Sequence, residues 1–172
     1  VQQGQGWCPA WSSALAPGHV EKVLMVRQGF AERHEPVHAR LIAALTQAAR
    51  WCDETGNRAE LAEILSAPSY LDLPASVIAP SLLGNFSTRP DAVEAVPDFH
   101  VFSRGDANAP TAERATQLQH ELVAAGIVPR SALQPGLPVR LFRENLYREA
   151  TANLDPHATP PTTHTRGACV SA

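Results

Sequence analysis

The strongest pattern in this 172-residue chain is an amphipathic stretch over residues 37–53. Its apolar side chains recur at intervals of three and four residues, which places them on one face of an α-helix. Glu35-Pro36 predicts a break before this helix, because a residue that precedes proline is pushed out of the helical region. With 44% hydrophobic residues, the chain is expected to bury one moderate core. The apolar face comprises Leu41, Ile42, Leu45, Ala48, Ala49 and Cys52, with Trp51 at its edge.

Turn signals divide the rest of the chain into shorter elements. Asn57, with Glu60 three residues later, has the spacing of a helix cap, and Gly84 and Gly126 are typical of helix ends. The 85–110 segment is irregular, although Phe99, Val101 and Phe102 could form a short extended piece. Such a long loop is uncommon unless it is functional or packs on something else. Further helices are predicted over residues 19–34, 58–66, 75–83, 111–125 and 143–153.

We expect residues 1–155 to form one part of a larger domain. The segment 156–172 is rich in Thr and Pro with little apolar content, and we expect it to be a disordered tail. No apolar run approaches the roughly 20 residues that span a bilayer. The residues given show no signal peptide, and they do not determine the compartment.

Several classes of function find no support in the composition or the motifs. A net charge of -3 and a pI near 6.2 argue against direct nucleic-acid binding. The three cysteines lack CxxC spacing, and His34 and His38 are separated by a proline, so no metal site is predicted. Neither a GxSxG elbow nor a phosphate-binding glycine loop occurs. We therefore predict no catalytic residue and no cofactor.

Lys22 is the only lysine, and the other thirteen basic residues are arginines. In the first turn of the predicted 19–34 helix it would meet the positive end of the helix macrodipole, which disfavours a cation. Free backbone N–H groups at the same place suit a small anion, and an ammonium beside them would strengthen its binding. Two interpretations stay open: an anion contact, or a lone exposed lysine.

A series of phrases in this chain resembles one known family. In order they read QGQGWCPAWSS, HVEKVL, ARLIAALTQAARWCDETGNRAELAEILSAPSYLDLPASVIAPSLLGNF, DFHVF, ANAP and ENLYREA. Together they are similar to the nitrate- and bicarbonate-binding proteins of ABC importers (NrtA/CmpA type) and the related NasS-like cytoplasmic nitrate sensors. The resemblance runs nearly continuously from Gln3 to Leu154.

The resemblance implies an α/β fold, the type II periplasmic-binding-protein-like arrangement of two lobes around a cleft. This chain resembles its C-terminal, helix-rich part, beginning just after the family's GEPWN segment. The implied function is that of the substrate-binding component of an ABC importer for a small oxyanion. Binding would proceed by lobe closure without catalysis.

The resemblance also carries over one ligand contact. In nitrate-binding members the lysine of an HPEK phrase pairs with the anion, and HVEK places that residue at Lys22. His19 and Glu21 would set the local geometry, or serve only as structural caps. A lysine here favours nitrate or nitrite over calcium-assisted bicarbonate. Two departures are Val20 in place of proline, and a tryptophan-rich family stretch that reads ANAPTAERATQLQHELVAAG here.

The implied partners are the oxyanion and an ABC permease. The protein would be periplasmic or membrane-associated through an upstream signal. The alternative is a cytoplasmic nitrate sensor that sequesters an RNA-binding antiterminator until the anion arrives. A third reading is an unrelated helical interaction domain.

Overall fold

The computed structural model describes residues 1 and 4–155, so the tail predicted over 156–172 lies outside the described residues. The described part is helix-rich with one small sheet. Three single 3₁₀ turns, Thr55–Asn57, Arg104–Asp106 and Arg130–Ala132, connect its elements. The elements are α1 (Ser12–Leu15), α2 (Gln28–Arg33), α3 (Glu35–Asp53), α4 (Arg58–Ser66), α5 (Ala75–Leu82), β1 (Asn85–Arg89), β2 (Ala92–Ala95), α6 (Ala112–Ala124), α7 (Leu137–Leu141) and α8 (Glu144–Thr151).

Helix α3 confirms the strongest sequence pattern, and it begins two residues earlier than predicted. Pro36 lies in its first turn, where the missing proline N–H costs no hydrogen bond. The capping role predicted for Asn57 is wrong, because its side chain does not cap α4. The Asn57 amide instead donates to the carbonyl oxygen of Trp51 at 2.9 Å, an acceptor at the end of α3 that also takes the Glu54 N–H at 3.3 Å.

The core lies between α4 and α5. Its buried members are Leu61 and Ala62 on α4 and Ile78 and Leu82 on α5. The side of α3 that carries Trp51 and Cys52 packs against it, together with Phe102 from the long loop. Burial of each large apolar side chain contributes roughly 1.5–3 kcal/mol, so this four-residue centre fixes how α4 and α5 pack.

A β-hairpin follows α5, where the sequence predicted irregular chain. β1 and β2 pair antiparallel, with Asn85 opposite Ala95 and Phe86 opposite Glu94. The predicted extended piece at residues 99–102 is wrong, because that segment forms no strand. The hairpin escapes sequence analysis because its strands are short and β2 is largely exposed, which leaves little alternation of polar and apolar residues.

Gly84 joins α5 to the hairpin in a conformation that only glycine adopts freely. Its φ is +75°, and an added Cβ would lie 3.0 Å from Pro97 Cα and 3.1 Å from Val96 O, both backbone atoms. Its carbonyl oxygen accepts the Val96 N–H at 2.7 Å, so the backbone here is pinned.

Gly84→Ala is therefore expected to lower the free energy of unfolding by about 1–3 kcal/mol. Gly126→Ala is the matched control, because Gly126 has a φ of +71° but open space around its Cβ position. Urea denaturation followed by circular dichroism measures both. Equal losses in the two variants would show that the close approach at Gly84 contributes nothing.

Helices α6, α7 and α8 complete the described chain. Thr111 caps α6 by accepting the Arg114 N–H at 3.3 Å, as the predicted start of this helix requires. α7 packs on α6, and α8 packs on α3. The predicted last helix is confirmed with narrower bounds.

Many apolar side chains stay exposed in the described part. On α3, Val37, Leu41 and Leu45 lie 37–47% exposed at successive helical turns. Leu41 and Leu45 belong to the predicted apolar face, so this part of the face does not enter the core. Met25, 87% exposed, lies in the extended segment before α2. In the described residues, no helix combines the length and the apolar character needed to cross a membrane.

Candidate functional site

Lys22 lies in residues 19–27, which form neither helix nor strand and are called the extended segment after the extended backbone at Arg27. The predicted 19–34 helix is therefore wrong for its first nine residues. Only α2 is helical there, and Arg27 precedes it with extended backbone (φ -68°, ψ 142°). The run of Val20, Val23 and Val26 explains the difference, because β-branched residues lose side-chain freedom in a helix. Lys22 lies outside any helix, six residues before the start of α2, so the macrodipole argument does not apply to it.

The Lys22 side chain is exposed, so a partner from outside the described residues can reach it. Among the described residues, its ammonium forms no hydrogen bond and no ion pair. An ammonium has three donors and no acceptor, so such a group binds an anion without first breaking a protein contact. Because Lys22 is not at a helix N-terminus, the groups left to bind an anion here are its ammonium and the neighbouring side chains.

His19, Glu21 and Ser12 form a small network beside Lys22. The His19 ring reaches the Ala16 carbonyl oxygen with Nδ1 at 2.7 Å and Glu21 Oε1 with Nε2 at 3.0 Å. Ser12 Oγ donates to the same Glu21 oxygen at 3.2 Å. These bonds fix the turn between α1 and the extended segment, so the structure brings the two predicted neighbours of Lys22 together.

The Glu21 carboxylate is held ionised by this network. The hydrogen bonds from Ser12 and then from His19 lower the pKa of Glu21. Both His19 nitrogens face acceptors, a carbonyl and a carboxylate, so both bonds form together only when the ring carries both protons.

A buried ion pair between α3 and α4 was missed by the sequence analysis. Asp53 at the end of α3 and Arg58 at the start of α4 pair at 2.8 Å, with side chains 5% and 6% exposed. Arg58 also donates to the carbonyl oxygens of Leu82 at 3.3 Å and His100 at 3.2 Å. Its guanidinium lies 4.9 Å from the centre of the Phe102 ring.

The Asp53 carboxylate holds the loop before α6 by accepting hydrogen bonds from backbone N–H groups of that loop. Burial raises the pKa of Asp53, but the N–H groups of Arg104, Ser103 and Phe102 and the Arg104 charge outweigh it, so the pKa is lowered. The Ser103 N–H donates to Asp53 Oδ2 at 2.9 Å. Asp53 lies in the phrase ARWCDETGNR, but nothing in that phrase indicates its partners some fifty residues away.

A row of rings runs along the same loop. Phe86 of β1 stacks on Phe99 at 4.4 Å, and Trp11 approaches Phe86 edge-on at 6.2 Å. The row continues through His100 to Phe102. It connects the chain next to α1 with the loop that Asp53 and Arg58 hold, and His100 is the titratable member.

Other parts of the described residues bring together fewer side chains that could form a binding site. Two shallow surface depressions, one along α6 and one between residues 4–7 and the hairpin turn, do not include Lys22. In the part of the chain that the structure describes, no three His, Cys, Asp or Glu side chains gather as a metal site would require. Cys8 and Cys52 are both free thiols.

Comparison with known proteins identifies the class of fold. The structure superposes with a TM-score of 0.70 on the crystal structure of the periplasmic nitrate-binding protein NrtA from Synechocystis PCC 6803, at 21% identity. The match covers 76% of this chain and 34% of that one. The chain is therefore a helix-rich part, with a small sheet, of a type II periplasmic-binding-protein fold.

Sequence comparison identifies the family. The NMT1-like family matches residues 1–66. The bicarbonate-binding protein CmpA of Synechococcus elongatus is 31% identical over 94% of this chain and 38% of its own length. The nitrate import ATP-binding protein NrtC of Synechocystis sp. is 27% identical over 90% of this chain and 23% of its own. The chain is thus a homologue of part of the nitrate- and bicarbonate-binding proteins of ABC transporters, and the resemblance noted above is confirmed.

These relatives are named for binding and import, which supports the prediction that the chain is not an enzyme. The chain spans 38% of the length of CmpA and 34% of the superposed NrtA chain. The comparisons do not separate nitrate from bicarbonate.

Proposed function

We propose that the chain is part of the substrate-binding component of an ABC importer for a small oxyanion, nitrate or nitrite, with Lys22 as an anion contact. The observation that supports this most is the exposed Lys22 ammonium, which has no partner among the described residues and occupies the lysine position of the HPEK phrase. No bond is made or broken. The anion would stabilise a closed arrangement of two lobes by contacts that the open arrangement lacks, and a permease would read the closed state.

Two observations bear on the choice of anion. CmpA, a bicarbonate-binding protein, is 31% identical, and NrtA of Synechocystis sp., a nitrate/nitrite-binding protein, is 25% identical, so these relatives leave the choice open. Lys22 suits nitrate, because an ammonium only donates hydrogen bonds and nitrate only accepts them, whereas bicarbonate also carries an O–H that needs an acceptor. We give the site more weight, since a ligand is selected by the groups that touch it.

The exposed apolar faces support the proposal of a larger two-lobed protein. Val37, Leu41 and Leu45 of α3 and the extended segment with Met25 are surfaces on which further elements would pack. The remaining anion contacts would come from those elements.

The test is calorimetric titration of nitrate, nitrite and bicarbonate, the last with and without Ca²⁺. We expect the intact protein to bind nitrate or nitrite, and the isolated 172 residues to bind these anions weakly or not at all. Binding of bicarbonate alone would contradict the proposed ligand. Tight nitrate binding by the isolated 172 residues would contradict the proposal that further elements supply the remaining anion contacts.

A further inference from the structure

The middle of the extended segment, residues 20–26, makes no backbone hydrogen bond to any described residue. At one end, the His19 N–H donates to the Ala16 carbonyl oxygen at 3.2 Å. At the other end, the Arg27 carbonyl oxygen accepts the Phe30 N–H at 3.0 Å. The extended segment contains no turn, no bend and no positive φ. It thus runs as a strand does, but without the neighbour to which a strand bonds.

The side chains of this stretch are typical of a β-strand. Val20, Val23 and Val26 are β-branched, a type of residue that is enriched in strands. At the centre, Val23, Leu24 and Met25 are 54%, 48% and 87% exposed. Successive side chains of a strand point to opposite faces, so these three consecutive residues would present apolar surface on both faces.

Covering these apolar side chains also covers the backbone that carries them. A backbone N–H or C=O group that is removed from water needs a hydrogen-bond partner. The described strands do not provide one, because β1 and β2 pair with each other and neither bonds to residues 20–26. A helix would satisfy these groups internally, but the stretch is not helical and its three valines disfavour a helix. The edge of another strand, from outside the described residues, fits this chemistry.

Comparison of lengths indicates a source for that strand. The chain spans 38% of the length of CmpA and 34% of the superposed NrtA chain, so most of each relative has no counterpart here. Glu21 and Lys22 suit the edge of a sheet, where charged side chains, lysine above all, discourage pairing on the free side. We propose that residues 20–26 form an edge strand that pairs with a strand from the rest of the binding protein. This inference rests on the proposed function, because it takes the partner from the same larger protein.

Pairing of this strand would also orient Lys22. Side chains alternate along a strand, so Lys22 would share one face with Val20 and Leu24, while Glu21 and Val23 would lie on the other. A side chain on a paired strand keeps its position better than one on unpaired chain, as binding groups require. The nitrate affinity should therefore depend on the pairing, although the anion need not touch the strand backbone.

Hydrogen exchange of the intact protein, resolved to single amides, tests the pairing. An edge strand donates to its neighbour through alternate N–H groups. The amides of residues 20–26 should therefore alternate between slow and fast exchange, with a difference of about 100-fold or more. The amides of α3, which are bonded within a helix, are the reference for uniformly slow exchange.

Three results of this experiment would overturn the inference. Uniformly fast exchange would mean that the stretch is unpaired, and uniformly slow exchange would mean a helix or a strand paired on both sides. Alternation that appears only at high protein concentration would mean that the partner is a second copy of the protein.

Proline substitution adds a functional measurement. Val23→Pro and Leu24→Pro each remove one N–H, and neighbouring N–H groups of a strand point to opposite sides, so each variant is the matched control of the other. Proline at the position whose amide is slow should weaken nitrate binding to the intact protein by about tenfold or more, and the other proline should weaken it far less. Equal effects of the two prolines would contradict the edge strand.

The inference and the proposed function fail separately. If the amides alternate but the intact protein binds neither nitrate nor nitrite, the strand is retained and the proposed ligand is wrong. If nitrate binds and Lys22→Met weakens it while residues 20–26 exchange uniformly fast, only the strand is wrong.

Discussion

Replacing Arg58 by methionine is expected to lower the free energy of unfolding by about 3–5 kcal/mol, the usual cost of removing one partner of a buried ion pair. The Asp53 carboxylate would stay buried, 5% exposed, and keep only the exposed Arg104 as a cation, at 3.4 Å. The carbonyl oxygens of Leu82 and His100 would also each lose a donor. Methionine keeps much of the volume, so the loss reports on charge and hydrogen bonding more than on a cavity.

Urea denaturation followed by circular dichroism measures the effect. Arg40→Met is the matched control, because Arg40 is exposed on α3, and it should change stability by less than about 0.5 kcal/mol. The double variant Asp53→Asn, Arg58→Met should lose less than the sum of the single variants, since the two side chains share one network. A loss in Arg58→Met no larger than in Arg40→Met would contradict a structural role for the pair.

Replacing Lys22 by methionine is expected to weaken nitrate binding to the intact protein by about 10- to 100-fold. This corresponds to a charge-assisted hydrogen bond worth about 1.5–3 kcal/mol. Folding should be unaffected, because the Lys22 side chain is exposed and makes no bond to the described residues. Lys22→Arg keeps the charge and should retain part of the affinity, although its planar fork differs from an ammonium.

Titration calorimetry at fixed ionic strength measures the affinities, because exposed charges are screened by salt. Arg27→Met is the control for a general loss of positive charge, since Arg27 is exposed in the same segment five positions away. It should change the affinity far less than Lys22→Met. Equal effects of the two substitutions would remove Lys22 from the site.

The elements that sequence predicted well are those with a local cause. Helix α3 follows from a repeated apolar spacing, and the ends of α5 and α6 follow from Gly84 and Gly126. Lys22 was singled out by being the only lysine and by the phrase HVEK, neither of which depends on the helix that was wrongly predicted around it.

The contacts that sequence missed join distant parts of the chain. Arg58 bonds to the carbonyl of His100, 42 residues away, and Asp53 to the N–H of Ser103, 50 residues away. No periodicity records such a pair, because each partner is an ordinary polar residue within its own segment.

The sequence by itself determined helices α3, α4, α5, α6 and α8 and the family resemblance, and it singled out Lys22 as the predicted anion contact. Only the tertiary structure decided that Lys22 lies outside any helix, beside the His19 and Glu21 network. The physical reason is range: helix periodicity acts over a few residues, whereas a binding site is assembled from groups that only folding brings together.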